Sequence, residues 1–480
     1  MAQLDAVVVG SGPNGLAAAI TLARAGLSVR VYEAADTIGG GLRSAALTLP
    51  GVTHDVCAAV HATALASPFI QSLPLAAHGC EFVQPDAPFA HPLDDGTAIV
   101  AERSVARTAA NLDAADAAAY RNLVEPFAAR AQSLMAALLN PPSLTQPWLM
   151  ATFGLKAVRP ATSVATGTFR GDRGRALLAG SAAHSMLPLD YAATAGFALA
   201  LNAAAHGIGF PIARGGSQRF ADALTSYLRS LGGEVVTGAR IAALRELPPA
   251  RAQLFDVSPH QLLSIAGDRV PRAYARAVGK YRYGPGVFKI DWALNGPVPW
   301  RARECARAGT IHIGGTLAEI ARSEDDAFHG RICERPYMIV VQPSAFDASR
   351  APAGTHVLWG YCHVPSGATV DMRARMEAQI ERFAPGFRDC IVARHAMAPA
   401  DMERHNPNYV GGDIACGVST LRQTFVRPVL AVNPHVTPIK DVYLCSSATP
   451  PGIGVHGMCG HRAARAALSR TFGRRPQAQR

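Results

Sequence analysis

The chain has 480 residues, 49% of them hydrophobic and 17% charged, which gives it enough apolar side chain to bury a large core. This composition excludes a disordered polyelectrolyte, and the lack of any heptad or glycine period excludes a fibrous protein. The net charge is +11, but the basic residues are scattered and are not interleaved with aromatic side chains, so we predict no nucleic-acid partner.

The nine cysteines lie singly along the chain, and no two of them form a Cys-x-x-Cys pair. This spacing argues against a disulfide framework and against a zinc site. Residues 1–3 lead directly into an apolar run, without the basic segment or the cleavage site of a signal peptide. We therefore expect a reducing, cytoplasmic compartment and no bound metal.

A dinucleotide-binding motif begins the chain. Residues 6–9 (AVVV) predict a strand buried in a parallel sheet, and the loop GSGPNG follows at residues 10–15. An alanine-rich helix is predicted over residues 16–25, and a second strand over residues 28–32 ends at Glu33. The order strand, glycine loop, helix, strand and acid is the fingerprint of a Rossmann unit.

Each part of this motif has a physical role. Gly10 permits the tight turn, Gly12 lets the backbone approach a pyrophosphate, and Gly15 allows the helix to pack closely on the strand. The helix N-terminus offers free N–H groups to the phosphates. Glu33 can accept hydrogen bonds from ribose hydroxyls and disfavours a 2′-phosphate, which predicts FAD or NAD rather than NADP.

A second glycine run distinguishes FAD from NAD. Residues 38–43 (IGGGLR) stand where flavoproteins with the glutathione-reductase fold place glycines along the phosphates and the flavin. A disulfide relay would need a Cys-x4-Cys pair soon afterwards, but Cys57 stands alone. We therefore predict FAD without a dithiol.

A segment near the C-terminus is predicted to bind the flavin part of the same cofactor. A strand over residues 442–447, a glycine-rich loop over 448–454 and a helix over about 455–469 would aim backbone N–H groups at N1 and the C2 carbonyl of the flavin. An ordinary strand–helix turn is the alternative interpretation.

Between these ends the family resemblance described in the next paragraph implies a glutathione-reductase-like Rossmann FAD-binding domain of α/β class with an inserted α+β substrate domain. A helix over 218–231, a strand over 234–237 and another over 254–259 return the chain to the FAD domain, with Val236 near the adenine. The predicted FAD-binding segments are 1–71, 206–275 and 406–480, and the predicted substrate-domain segments are 72–205 and 276–405.

Several motifs carry a family resemblance. Residues 7–15, 59–69, 214–218, 283–292, 406–413 and 451–460 resemble the phytoene-dehydrogenase-related FAD-dependent oxidoreductases, so the similarity extends from about residue 5 to about residue 470. The resemblance implies a bipartite fold and FAD. The positions predicted to contact FAD are Gly10, Gly12, Pro13, Asn14, Gly15, Glu33, Ala34, Gly40, Gly41, Arg43, Val236, Val455, Gly457 and Met458. The chain departs from the broader amine-oxidase pattern in having Gly41, not arginine, directly after the double glycine.

Two apolar stretches bear on membranes. Residues 191–213 carry no charge, but their polar residues and alanines favour a buried helix over a membrane span. Residues 147–156 (PWLMATFGLK) predict either peripheral contact with a lipid surface or a covered core or dimer segment.

Few catalytic side chains are expected, because the flavin itself accepts or donates the hydride. Only four of the 46 basic residues are lysines, and Lys289 lies on an alternating strand. By analogy with amine oxidases it would hold water near the flavin; a surface ion pair or an internal pair with Asp291 are the alternatives. His456, at the predicted flavin loop, is the second candidate, whereas His61 and His184 are more typical of structural histidines.

We therefore predict an FAD-dependent oxidoreductase that transfers hydride between non-covalently bound FAD and a hydrophobic small molecule. Non-covalent binding is expected because the Ser-Gly-Gly-Cys pattern of covalent flavin attachment is missing. The alternatives are a flavin amine oxidase and an FAD-binding regulatory protein with little turnover. No Ser/His/Asp set and no His-Glu-x-x-His motif supports a hydrolase or a metalloenzyme.

Overall fold

The fold is described from a computed structural model that covers residues 3–141 and 145–474. The ends of the predicted segments 1–71 and 406–480 therefore extend beyond the described residues. The strands are β1 (Leu4–Val9), β2 (Val29–Tyr32), β3 (Ser44–Ala45), β4 (His54–Asp55), β5 (Phe82–Val83), β6 (Ala87–Pro92), β7 (Ala98–Ala101), β8 (Ile212–Ala213), β9 (Glu234–Val236), β10 (Ala250–Phe255), β11 (Gly286–Leu294), β12 (Ala308–Ile313), β13 (Met338–Val341), β14 (His356–Val364), β15 (Ile391–Met397) and β16 (Val442–Leu444).

The helices are α1 (Pro13–Arg24), α2 (Ala62–Ala66), α3 (Pro68–Gln71), α4 (Val105–Ala110), α5 (Ala114–Ala128), α6 (Ala131–Leu139), α7 (Pro147–Ala157), α8 (Ala161–Thr168), α9 (Asp172–Ala182), α10 (Thr194–Gly207), α11 (Gln218–Ser230), α12 (Pro259–Ala266), α13 (Arg272–Val278), α14 (Leu317–Phe328), α15 (Arg373–Phe383), α16 (Pro399–His405), α17 (Leu421–Phe425) and α18 (Met458–Arg470).

A five-stranded parallel sheet has the order β16-β10-β1-β2-β9. Its central strand β1 is apolar and buried on both faces, as a parallel strand covered by helices requires. Helix α1 begins at Pro13, inside the predicted glycine loop and directly after Gly12, because proline suits the first turn of a helix. The predicted α/β Rossmann-like unit is thus confirmed.

Several predicted element boundaries are wrong. The strand expected at residues 442–447 is β16 and ends at Leu444, and the helix expected at residues 16–25 is α1 and begins at Pro13. The strand expected at residues 254–259 is β10 and ends at Phe255, because Ser258 caps α12 and Pro259 occupies its first turn. The helix expected from residue 455 begins only at Met458, because Gly457 has a φ of +67° that interrupts helical geometry.

A larger sheet of seven strands has the order β15-β11-β14-β13-β12-β6-β7. Only the β12–β6 pair is parallel; the other neighbours are antiparallel. The long strands β11 and β14 pair along nine residues, and one face of the sheet packs on a core that includes Trp292 and Phe387. Helices α4 to α10 form a helical layer beside it, and their buried apolar side chains belong to one hydrophobic core.

The two apolar stretches differ in burial. Helix α10, within residues 191–213, is largely buried, which confirms the predicted buried helix. None of the described helices is long and apolar enough to cross a membrane. Helix α7 instead exposes Trp148 and Leu155, at 82% and 76% of their surface, and its contact with lipid stays a prediction.

Candidate cofactor and substrate site

A cavity of about 620 Å³ lies between the two sheets. One part of its wall is formed by the glycine loop after β1, by Glu33 after β2 and by Asp256 after β10. Another part is apolar and includes Leu201, Phe210 and Ile339. The carboxyl ends of parallel strands thus meet the larger sheet at one site, as the crevice rule for open α/β sheets requires.

Most positions predicted to contact FAD lie on this wall. Those that do are Gly10, Gly12, Pro13, Asn14, Glu33, Ala34, Gly40, Gly41, Arg43 and Val455. Four do not: Gly15 packs under the loop, Val236 lies on the edge strand β9, and Gly457 and Met458 lie behind the C-terminal loop. The wall still fits a dinucleotide: a Cβ on Gly12 would lie 2.6 Å from Asp256 Oδ2 and one on Gly40 would lie 3.0 Å from Gly12 Cα, so the two glycine loops can pack together only without side chains, beside the helix N-terminus whose N–H groups can bind a phosphate.

Glu33 is fixed at the end of β2 by four hydrogen bonds. Its Oε2 accepts from the backbone N–H of Ser11 (2.9 Å) and from the Ser11 hydroxyl (2.6 Å). Its Oε1 accepts from the backbone N–H of Ala35 and from the guanidinium of Arg43. These bonds couple the acid directly to the glycine loop and to the second glycine run.

The structure explains why glycine, not arginine, follows the double glycine at position 41, and where the arginine lies instead. A side chain at position 41 would overlap the hydroxyl of Tyr409, so glycine is required there. Arg43 lies two residues later and donates to Glu33 (3.0 Å) and to the backbone oxygen of His405 (3.1 Å). The arginine is therefore present in the cavity wall at a shifted position.

Asp256 is a site residue that the sequence analysis missed. Its Oδ2 accepts a 2.9 Å hydrogen bond from the backbone N–H of Gly15, at the N-terminus of α1. Burial raises the pKa of Asp256 to about 7; the negative charge of Glu33 adds to the rise, and the Gly15 bond opposes it. The available signal was its position directly after a buried strand that pairs with β1.

Lys289 does not line the cavity, although Trp359, which does, lies beside it. Its Nζ donates to both carboxylate oxygens of Asp291 at 2.5 Å, and both side chains are buried. Burial pushes the pKa of Asp291 upward, but the Lys289 charge together with hydrogen bonds from His395 and His54 outweighs burial and holds the pKa below its usual range. Three interpretations of Lys289 were considered: a lysine that holds water near the flavin, a surface ion pair and an internal pair with Asp291. The geometry matches the internal pair.

His456 is also absent from the cavity wall. Its Nδ1 accepts a 3.0 Å hydrogen bond from the backbone N–H of Met458, and its Nε2 donates to the backbone oxygen of Gly452. The ring thus satisfies a free N–H group at the start of α18, which is a structural task. Residues 453–455, directly before it, line the cavity, and a role of His456 at the flavin stays a prediction.

Two aromatic rings form part of the apolar wall. Trp359 and Tyr361, two residues apart on β14, have ring planes 13° apart and centroids separated by 5.8 Å. A ligand group between two faces needs a separation of roughly 7–8 Å, since each contact takes about 3.5–4.0 Å. The two rings are therefore too close together to hold a ligand group between them. This pair does not form an aromatic cage, the arrangement of ring faces that binds an ammonium group in some amine sites.

Comparison with known proteins agrees with this geometry. Residues 8–73 match the family model of the NAD(P)-binding Rossmann-like domain. The fold resembles the crystal structure of an oxidoreductase from Methanosarcina mazei, with a TM-score of 0.64, 15% identity, and coverage of 96% of this chain and 100% of that one. Together with the glycine motifs and the relatives described next, these findings define the chain as a flavin-dependent oxidoreductase.

Within that class the chain is similar to pyridine nucleotide-disulfide oxidoreductase domain-containing protein 2 of Rattus norvegicus. The two are 25% identical over 96% of this chain and 93% of the relative. The lycopene-forming phytoene desaturase of Pseudescherichia vulneris is 24% identical over 55% of this chain and 56% of its own. The resemblance to the phytoene-dehydrogenase-related oxidoreductases is thereby confirmed.

Proposed function

We propose that the chain binds FAD non-covalently and transfers hydride between the flavin and a hydrophobic small molecule. The observation that carries this proposal is a single cavity whose wall combines a dinucleotide cradle with an apolar and aromatic part. When bound, FAD would supply the hydride-transfer chemistry, and the protein supplies binding, orientation and exclusion of water.

In this proposal, the residues at the dinucleotide end of the cavity each contact a different part of FAD. The N–H groups at the start of α1, after Gly12, would bind the pyrophosphate. Glu33 lines this part of the cavity and would accept hydrogen bonds from the ribose in exchange for some of its four present bonds, which already use about four acceptor sites. Arg43 would hold Glu33 in place and contribute positive charge beside the phosphates.

Non-covalent binding is supported by the state of the cavity thiols. Cys57 and Cys416 line the cavity. Burial raises the pKa of both thiols, that of Cys416 to about 12. Both are therefore protonated near neutral pH and are poor nucleophiles for a bond to the flavin.

The proposal includes the predicted division of the chain into an FAD-binding domain and a substrate domain. The five-stranded sheet would be the core of a glutathione-reductase-like FAD-binding domain formed by segments 1–71, 206–275 and 406–480. The seven-stranded sheet and the helical layer would form the substrate domain, inserted as 72–205 and 276–405. This division is supported by the strands of each sheet, which come from those segments.

We expect FAD binding to weaken as pH rises through the pKa of Asp256. Above about pH 7 this carboxyl is ionised beside the bound diphosphate, whereas His405, whose pKa is lowered to about 4 by burial, stays neutral. The FAD dissociation constant should rise on the order of tenfold between about pH 6 and pH 8. Asp256→Asn keeps the acceptor for Gly15 and should remove this dependence; an equal slope in both proteins would contradict the role of Asp256.

Reoxidation of the reduced protein tests whether the chain is an enzyme. The FAD-loaded protein is reduced anaerobically with dithionite and then mixed with oxygen or with a soluble quinone, while flavin absorbance is followed. We expect the oxidised spectrum to return within seconds with at least one acceptor. A flavin that stays reduced with both would favour the regulatory FAD-binding protein.

A further inference from the structure

We propose that the loop 421–432 and the neighbouring segment 269–282 form a docking surface that binds an anionic lipid membrane. This surface lies outside the cavity and gives the protein a partner beyond the proposed function. Within the loop, Phe425, Leu430 and Val432 expose 75%, 82% and 109% of their surface. These three apolar side chains lie within eight residues of sequence, and exposed apolar clusters mark interaction sites.

Both segments of the docking surface are basic. Residues 269–282 hold five basic residues and no acidic one, and residues 414–440 also lack acidic residues. The side chains of Lys280, Arg282 and Arg422 are exposed, and none of the three forms an ion pair within the described residues. Their positive charge is therefore available to a negatively charged partner.

Hydrogen bonds join the two segments of the docking surface. The side-chain oxygen of Gln423 accepts from the backbone N–H of Arg282 at 3.0 Å, and its amide nitrogen donates to the backbone oxygen of Arg282 at 2.8 Å. The hydroxyl of Tyr281 donates to the backbone oxygen of Cys416 at 2.6 Å, shortly before the loop. The cations of the basic segment are thus held beside the apolar loop.

Arg427 fixes the loop to the wall of the cavity. Its guanidinium is buried; Nε donates to the backbone oxygen of Ser447, and Nη2 donates to the backbone oxygens of residues 415–417. Ser447 and Cys416 both line the cavity. The docking surface is therefore connected through one arginine to the wall of the cavity that would hold FAD and the apolar substrate.

The shape and charge of the docking surface favour a lipid membrane over a protein partner. A protein would need a pocket for each projecting side chain, whereas the boundary between headgroups and acyl chains deforms around them. A second copy of the chain would bring two positively charged surfaces together. Each cation near an anionic leaflet raises the affinity about fivefold, so apolar insertion and adjacent basic residues act together.

Sedimentation with vesicles tests the proposal. The FAD-loaded protein is mixed with vesicles of phosphatidylcholine, prepared with or without phosphatidylglycerol, and the bound fraction is measured at increasing salt. We expect at least about tenfold tighter binding to the vesicles that contain phosphatidylglycerol. This binding should weaken as salt screens the charges.

Two double variants separate the apolar and the electrostatic contributions. Phe425→Ser with Leu430→Ser should weaken binding to the anionic vesicles at least about tenfold, because the inserted side chains are lost. Lys280→Gln with Arg422→Gln should weaken it on the order of twentyfold and reduce its dependence on salt. All four side chains are exposed, so the urea concentration of half-unfolding should stay as in the wild type.

The matched controls lie outside the docking surface. Val392→Ser, at a valine that exposes 56% of its surface, and Arg303→Gln, at an exposed arginine, should bind vesicles as the wild type does. Both double variants binding as the wild type, or equal wild-type binding to the two kinds of vesicle, would overturn the proposal. A wild type that binds neither kind would also overturn it and favour an acidic protein as the partner. Failure of the proposed function is distinguishable, because it appears as a lack of FAD uptake before vesicles are added.

Discussion

Replacement of Lys289 with methionine is expected to lower the free energy of unfolding by about 3–5 kcal/mol. The substitution removes the cation that neutralises Asp291, whose carboxylate is fully buried. Of the neighbouring groups, His54 lies 3.4 Å and His395 3.8 Å from the carboxylate, but a histidine is charged only if protonated. An uncompensated buried charge would therefore remain.

A double variant separates the lost charge from lost packing. Adding Asp291→Asn to Lys289→Met removes the unpaired charge and keeps the shape of the side chain. We expect the double variant to recover more than half of the loss, measured by urea unfolding followed by tryptophan fluorescence. A double variant as unstable as the single one would show that Lys289 does not act through Asp291.

The second large effect is expected at the glycine loop. Gly15→Val should weaken FAD binding at least about a hundredfold. A Cβ on Gly15 would lie 2.0 Å from the backbone oxygen of Gly10, so α1 must move away from the loop. Loss of two charge-assisted N–H bonds to the pyrophosphate, each contributing roughly 1.5–3 kcal/mol, accounts for this magnitude.

Gly167→Val is the matched control, because this glycine is exposed on α8 and a Cβ there would meet nothing within 4 Å. Both variants are titrated with FAD, and binding is read from the quenching of flavin fluorescence. The control should bind FAD as the wild type does. Equal affinity in Gly15→Val and wild type would contradict the proposed placement of the pyrophosphate.

Features encoded by neighbouring residues could be predicted from the sequence. The path from β1 through the glycine loop and α1 to Glu33 depends on local glycine, proline and periodicity signals, and it was placed correctly. The sequence also indicates that Lys289 and Asp291 share a face, because they lie two residues apart on a strand, and their internal pair was one of the three interpretations left open. The role of Lys289 was harder to predict, since the pattern does not tell which side of the sheet faces the cavity.

Features created by long-range packing were missed. Asp256 approaches Gly15 across 241 residues of sequence, and His184 meets His312 across 128. Tyr409, whose hydroxyl takes the place of a side chain at position 41, likewise comes from a distant segment. The task of His456 depends on the three-residue delay before α18 begins, which is a consequence of the backbone at Gly457.

Non-covalent binding of FAD is tested most directly by an absorbance spectrum. The purified chain is incubated with FAD, freed of excess cofactor and measured before and after acid precipitation. We expect the two flavin bands in the native protein and their complete release into the supernatant, since the cavity thiols are protonated. A protein that takes up no FAD would contradict the dinucleotide site, and flavin retained in the precipitate would contradict non-covalent binding.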